Sequence, residues 1–539
     1  MTQIFHQTGH LLKHFLKRDR LKIILWIVCL AGFSAMFLPY FNTVAEDSGL
    51  EAMYETMQNP AIVAIAGKTL VTDVADYTVG VFFTQEMLLF CSLGALIISL
   101  LHIVSHTRKE ENLGLTEIIQ SLPVGRHAAS AALIIENVLI HLVLVATIIG
   151  MLLALKDSDD VTTTGIILYA SSIGAMGLFG GALGFLFAQL MPTSSGASGG
   201  GLLITGLLFG ARAYTDVSAL DWSYFNPLSW SYLSAPFDKN RFDLLGYSLL
   251  LSAIIVGLAT FLEHQRDLDA SYIPESKGRE HAKKSSLSVP GWIFGLNRGV
   301  IITWLITFVL FGALYGSIYG DMQSFLEGNE FIQQFLAAGG SNVSMEVSFT
   351  STIMVVLIGI IPILPIIVIN RLYTEEREQR LELILALPVS RQKLYLTAII
   401  LAIILSIIAT VITTYSLGVT ALSTMTDTSM LDMNDFFKGS LNLFPTILFF
   451  IGLAGLCLGI FPQVGRLSYL YLVYSFLLEY MGGMLNLPDW LQKTSLHSWF
   501  PLVPTNETDW PTFTTVSLIG IAMLVVGFVG YIKRDLKTS

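Results

Sequence analysis

The chain has 539 residues and a formal net charge of −10; 53% of its residues are hydrophobic, 13% are charged and its mean hydropathy is +0.66. That composition excludes a soluble protein of two or three domains, because too little polar surface remains to cover it. The three cysteines, Cys29, Cys91 and Cys457, all fall inside apolar runs, so neither a disulfide frame nor a metal site is implied.

Residues 1–21 place Leu11, Leu12, Phe15 and Leu16 on one helical face, with Lys13, Lys17, Arg18 and Arg20 around it. Such a helix is expected to lie along a membrane interface, either anchoring to headgroups or meeting a partner. A membrane-crossing helix needs about 20 apolar residues. About twelve such runs follow, near 22–40, 80–104, 129–155, 163–190, 198–214, 244–262, 300–319, 349–370, 393–419, 441–461, 467–486 and 512–532. The expected fold is therefore an all-α polytopic membrane protein, and an even span count puts both termini on one side. Lys and Arg resist translocation; they gather in the N-terminal segment, after spans 2 and 8, in the mid-chain linker (Arg266, Lys277, Arg279, Lys283, Lys284) and in the tail (Lys533, Arg534, Lys537). Those regions are expected to be cytoplasmic, and the opposite loops are acidic, with Glu46, Asp47, Glu51 and Glu55 in one and Asp157, Asp159 and Asp160 in another. The first apolar run lacks a convincing cleavage site and reads as a span rather than a signal.

Short external helices are expected around residues 51–67 and, in the second half, 325–338. Gly67-Lys68-Thr69 resembles the end of a phosphate-binding loop, but Ile62 stands where that loop needs glycine. The loop 215–243 carries Trp222, Tyr224, Trp230 and Tyr232, residues suited to the lipid interface. Gly180, Gly184 and Gly199 to Gly201 are spaced for close helix packing. Residues 263–290 read as a polar linker, dividing the chain into a first six-span half (1–270), a cytoplasmic linker (271–290) and a second six-span half (291–539).

The halves echo each other. Glu110 to Arg126, between spans 2 and 3, returns 265 residues later as Glu375 to Arg391, between spans 8 and 9, with eight of seventeen positions identical. Arg266-Asp267-Leu268 after span 6 returns as Arg534-Asp535-Leu536 after span 12, and Trp26 of span 1 has a weaker echo in Trp304. Three echoes in one order argue for duplication of a six-span unit in parallel orientation. In the repeated stretch Glu110 and Glu117, like Glu375 and Glu382, are seven apart and expected on one helix face. Ile118, Ile119 and Leu122, with Leu383, Ile384 and Leu387, add an apolar base, and Pro123 and Pro388 end each helix. The stretch reads either as a docking knob for a soluble partner or as a helix that only sets topology.

The pattern Glu-Glu, then Glu, then Leu-Pro-Val-x-Arg, together with the Arg-Asp-Leu after span 6 and Asn226-Pro227-Leu228-Ser229-Trp230, resembles ABC transporter permeases of the polyketide-antibiotic exporter type. The resemblance covers essentially the whole chain and implies a type V exporter fold of two fused six-span halves in a bacterial plasma membrane. It implies coupling helices that receive two copies of a cytoplasmic ATPase, carried over to Glu110, Glu111, Glu117, Pro123 and Arg126 and to Glu375, Glu376, Glu382, Pro388 and Arg391. The second copy departs with Gln379 and Arg380 where the first has Gly114 and Leu115. The chain has no phosphate-binding motif of its own, so ATP and magnesium are expected on the partner, and no nucleic acid is implied. The expected function is outward movement of a hydrophobic or amphipathic compound, without enzymatic activity in this chain.

Ionisable groups within spans are costly and are candidates for the substrate path: Glu86, Glu136, His141, Arg212 and Glu479. Because spans 5 and 11 are equivalent, Arg212 and Glu479 are expected to face each other. The competing reading is an ion-gradient-driven secondary transporter with two six-span halves. A membrane enzyme is disfavoured by the lack of His-Glu-x-x-His, Gly-x-Ser-x-Gly or clustered metal ligands. Asn342 and Asn506 begin weak glycosylation matches.

Overall fold

A computed structural model describes residues 4–44, 49–58, 60–274, 281, 284–320, 345–425, 431–482 and 488–535. The expected external helix at 325–338, the acidic Glu46 and Asp47, the basic Lys277, Arg279, Lys283 and Lys537, and Leu536 and Asn342 lie outside these residues. The described residues form helices and no strands, as an all-α polytopic membrane protein requires, since a helix satisfies its own backbone groups in lipid. The chain divides into two compact units, Met1–Lys277 and Gly278–Ser539.

In the first unit the long helices are Thr8–Ala35, Val79–His106, Ala128–Leu155, Thr163–Leu190, Ser194–Ser218 and Phe242–Gln265. In the second they are Val289–Ser317, the pair Met345–Gly359 and Ile363–Arg377, then Arg391–Thr424, Met433–Ile460, Leu467–Gly482 and Trp510–Lys533. Threonine or serine caps several starts: Thr162, Thr193, Ser288 and Ser390 each accept a bond from a backbone N–H of the first turn.

Among the described residues ten helices are long and apolar enough to cross a membrane, against about twelve expected. The difference lies at the two equivalent spans 5 and 11. Ser194–Ser218 has 25 residues, but serine and glycine at its start and Arg212 and Asp216 near its end dilute its apolarity. Leu467–Gly482 has 16 described residues, and 483–487 lie outside the description.

The N-terminal segment also departs from expectation. Thr8–Ala35 is one continuous helix, so the amphipathic segment extends span 1 instead of forming a separate interfacial helix. Its apolar face packs inward: Phe15 is buried with Ile103, Leu133, Phe185 and Ala259, and Leu11 and Leu12 lie against that cluster. The expected external helices of the first unit are present as Gly49–Met57 and Pro60–Ala66. Gly67 ends them with φ +99, and its carbonyl accepts from Gln85. That turn accounts for the glycine without any phosphate.

The glycine spacing in span 4 packs helices closely. A Cβ on Gly180 would stand 2.1 Å from the Leu96 carbonyl oxygen, and one on Gly184 would stand 2.6 Å from that of Leu100. No side chain fits there, and the Thr163–Leu190 helix lies backbone to backbone on Val79–His106.

Candidate functional site

The repeated stretch is two short helices, not one. Arg108–Asn112 and Leu115–Gln120 meet at Gly114 with φ 71; in the second unit Ile363–Arg377 and Arg380–Leu385 meet at Gln379 with φ 59. Glu110 and Glu117 therefore do not share a helix face, nor do Glu375 and Glu382. A left-handed residue turns the chain, which helical periodicity alone does not reveal. The Gly114 and Gln379 mismatch thus preserves one backbone conformation, which glycine adopts freely and glutamine only with strain. Gln379→Gly is expected to stabilise the protein by up to about 1 kcal/mol, read as a rise in the thermal midpoint of detergent-solubilised protein. Gly114→Ala should lower that midpoint.

The turn positions a clamp that occurs twice. The Glu111 carboxylate accepts from Arg266 Nη1 at 2.7 Å and Nη2 at 2.9 Å, from the Asp269 N–H at 2.7 Å and from Arg108 Nη1 at 3.0 Å. Glu376 accepts from Arg534 Nη1 at 2.6 Å and Nη2 at 2.5 Å. Beside each pair the arginine that ends the stretch donates to the clamp arginine's own carbonyl: Arg126 to Arg266 at 3.0 Å, Arg391 to Arg534 at 2.6 Å. Such fork-to-fork pairs fix orientation as well as charge. Sequence echoes 155 residues apart in one unit and 158 in the other meet at single points. The start of the expected linker is part of the first clamp, since Arg108 also donates to the Asp269 and Ala270 carbonyls.

The first glutamate of each stretch is held differently. Glu110 forms an ion pair with Arg18 Nη1 at 2.9 Å and lies 3.1 Å from His106 Nδ1, which ties it to the N-terminal helix. Glu375 accepts from Arg380 at 2.6 and 2.8 Å and forms an ion pair with Arg371 at 3.0 Å. Hydrogen bonding to Glu375 holds the Arg380 guanidinium above its ordinary pKa. Glu110, Glu111, Glu375 and Glu376 are thus engaged within their own units. The free surface lies further on, at the short second helix: Glu117, Ile118, Leu122 and Pro123 are exposed in the first unit, and Glu382, Leu383, Leu387 and Pro388 in the second. Ile118 is 62% exposed and Leu383 72%. An acidic residue beside unpartnered apolar side chains, built twice on an anchored turn, is a surface fit for a partner.

The intramembrane candidates separate. Glu136 is fully buried with a carboxylate oxygen 3.5 Å from His102 Nε2, and His102 meets the Trp26 ring edge to face at 5.2 Å. His141 donates from Nδ1 to the Asn137 carbonyl at 2.7 Å. His102, Asn137 and His141 line a cavity of about 20 Å³, room for one water. His102 was not among the sequence candidates; an ionisable residue in span 2 was the available signal. Glu86 and Glu479 are half-buried on their helices.

Arg212 does not need Glu479 as its counter-charge. It pairs with Asp216 at 3.1 Å, donates to the Ile65 carbonyl at 3.0 Å and also reaches the Ala64 carbonyl, all within its own unit. Asp216 in turn accepts from the Tyr232 hydroxyl at 2.5 Å and from Ser223 at 2.6 Å. Burial, with the Asp216 carboxylate beside it, holds the Tyr232 phenol well above its usual pKa. Asn226 of the Asn-Pro-Leu-Ser-Trp motif donates to the Leu208 carbonyl at 2.7 Å and accepts from the Leu228 N–H at 3.0 Å, holding this loop on the Ser194–Ser218 helix. Trp222 and Phe225 of the same loop are exposed, as interfacial aromatics should be.

Ten helices long and apolar enough to cross a membrane among the described residues, with paired charged turns at helix ends, place the chain in the class of polytopic helical membrane proteins. Residues 288–531 match the family model "Multidrug efflux system permease Rv1217c, C-terminal domain". Over 391 residues, 72% of this chain and 69% of the other, the chain is 26% identical to the multidrug efflux system permease protein Rv1217c of Mycobacterium tuberculosis (strain ATCC 25618 / H37Rv). These similarities are to multidrug efflux permeases, in line with the resemblance read from the sequence, and they support a transport permease role for this multi-pass membrane protein.

Proposed function

We propose that the chain is the permease subunit of an ATP-driven exporter of hydrophobic or amphipathic compounds. Separate ATPase subunits dock on the two exposed turns, at Glu117 to Pro123 and Glu382 to Pro388. The observation that carries this reading is the doubled clamp. Each turn is tied by Glu111 or Glu376 to the end of the last helix of its unit and by Arg126 or Arg391 to the same point. A push on the turn would therefore move the ends of several helices together rather than bend a loop. ATP and magnesium belong to the partner, and the turns and both termini face the cytoplasm, as the basic residues on that side require. Substrate leaves by alternating access of the bundle.

The surface is tested by placing aspartate at both exposed apolar bases, Leu122→Asp with Leu387→Asp. Central apolar contacts contribute about 2 kcal/mol each, so co-purification with the ATPase should weaken at least tenfold for each turn, and substrate stimulation of ATP hydrolysis should disappear. Unchanged association would place docking elsewhere. Alanine at Glu110 or Glu375 is a poorer probe, because both are held inside their units. One observation favours the alternative, an ion-gradient-driven transporter: the buried Glu136 and His102 pair is a suitable proton site. Transport into vesicles driven by a proton gradient without ATP would establish that reading instead.

A further inference from the structure

The first unit contains two neighbouring cavities, and at two of their lining positions the second unit carries a buried tyrosine. One, the mouth, is polar, lies at the clamp end and is lined by Glu111, Arg126, Gln189, Glu263, Arg266 and Asp267 among others. Beyond it is an apolar chamber of about 290 Å³, walled by the Ala128–Leu155, Thr163–Leu190 and Phe242–Gln265 helices, with Ile134, Phe185 and Val256 in its lining. Ser130 and Leu133 line both parts, so the two are neighbours across these side chains. Ala182 and Ala253 are among its small lining residues.

The repeat makes the comparison residue by residue. A spacing of 265 places Tyr395 at the position of Ser130, and a spacing of 268 places Tyr531 at that of Glu263. In the first unit the Ser130 hydroxyl donates to Glu263, and His127 lies 3.1 Å from the same carboxylate. In the second unit the two tyrosine rings lie 5.4 Å apart, Tyr395 packs on Phe528 and its hydroxyl donates to the Leu524 carbonyl at 3.2 Å. Both rings are buried.

Val138, Leu249 and Ala253 of the chamber's lining are exposed and lie on helices long and apolar enough to cross a membrane, which leaves the chamber accessible from the side of the bundle. The mouth carries both signs of charge. Glu111 and Arg266 neutralise each other. Arg126 gives one donor to the Arg266 carbonyl and has no carboxylate partner among the described residues, while Glu263 and Asp267 supply negative charge. We propose that this pair of cavities binds one zwitterionic phospholipid of the adjoining leaflet, with an acyl chain in the chamber, the phosphate on Arg126 and the ammonium toward Glu263 and Asp267. The mouth shares Gln120 and the clamp residues with the turn proposed above to meet an ATPase, but occupancy of the cavities does not rest on that docking.

The second unit supplies the blocking substitution. Wild-type protein, Ser130→Tyr and Ala253→Phe are purified in mild detergent and checked for the same thermal unfolding profile. Each is then reconstituted with phosphatidylethanolamine bearing a photoreactive acyl chain and digested to map the cross-links. Wild type should label the segments around Leu133 and Val256; both filling variants should lose at least nine-tenths of that label while keeping label elsewhere on the lipid-facing surface. Ala253→Phe leaves the Ser130 and Glu263 bond in place, so it serves if Ser130→Tyr does not fold. Arg126→Gln should lower the labelling severalfold by weakening the phosphate contact. Equal labelling of those segments in wild type and Ala253→Phe overturns the proposal. So does their displacement from label by an amphipathic drug at concentrations far below those of the lipid, which would make the occupant a transported compound.

Discussion

Reversing one charge of the second clamp, Glu376→Arg, is expected to destabilise the protein by about 3 kcal/mol, and adding Arg534→Glu should restore most of the loss. The carboxylate side chain is 6% exposed and the guanidinium 14%, so neither charge has water to fall back on when its partner is removed. The penalty comes mainly from the stranded ion, not from the lost attraction, and for that reason the swapped pair recovers what either single change loses. The measurement is the thermal midpoint of the detergent-solubilised single and double variants. If the swap fails to rescue while each single variant is harmful, the pair is not the unit of stability and the clamp is incidental. The same variants report on coupling: Glu376→Arg that still folds should bind the ATPase yet transmit poorly, lowering substrate-stimulated hydrolysis more than association.

The second large effect is expected at Arg212. Arg212→Met keeps the shape of the side chain but leaves Asp216 charged and fully buried, a loss of about 3–5 kcal/mol. Asp216→Asn in the same chain should recover part of it, because the asparagine oxygen still accepts from one of the two hydroxyls, its amide can donate to the other, and no unpaired charge remains. Arg212 also holds the Ala64 and Ile65 carbonyls of the external helix Pro60–Ala66, so limited proteolysis should first open residues 60–70 in the single variant. Arg212→Met that keeps full stability but abolishes transport would return the residue to the substrate path.

How much was legible in the chain follows from the range of the interactions involved. Span-length helices depend on local apolar runs, and most were placed by hydropathy; the two that differ, Ser194–Ser218 and Leu467–Gly482, are those that glycine and charge or short described length set apart. The exposed turns were legible as a repeated motif. Their shape was not, because one left-handed residue in each turn breaks a periodicity that the side chains otherwise follow. Arg212 was marked by its cost in lipid, yet its partner Asp216 stood one helical turn away and was passed over for a distant glutamate. Glu136 was marked in the same way; His102, on another helix, could not be paired with it by spacing.

The sequence by itself determined that this is an all-α polytopic membrane protein, where ten of its spans run, and that one charged stretch occurs twice, because hydrophobic length and duplication are written residue by residue. Only the tertiary structure decided that Glu111 closes on Arg266 and Glu376 on Arg534, that four of the repeated glutamates face inward while the apolar turn faces out, and that Ser130 lines a chamber where the second unit has a buried Tyr395. Those are contacts between helices about 150 residues apart, chosen by packing and by the need of buried charges for a partner. No local pattern encodes which partner that is.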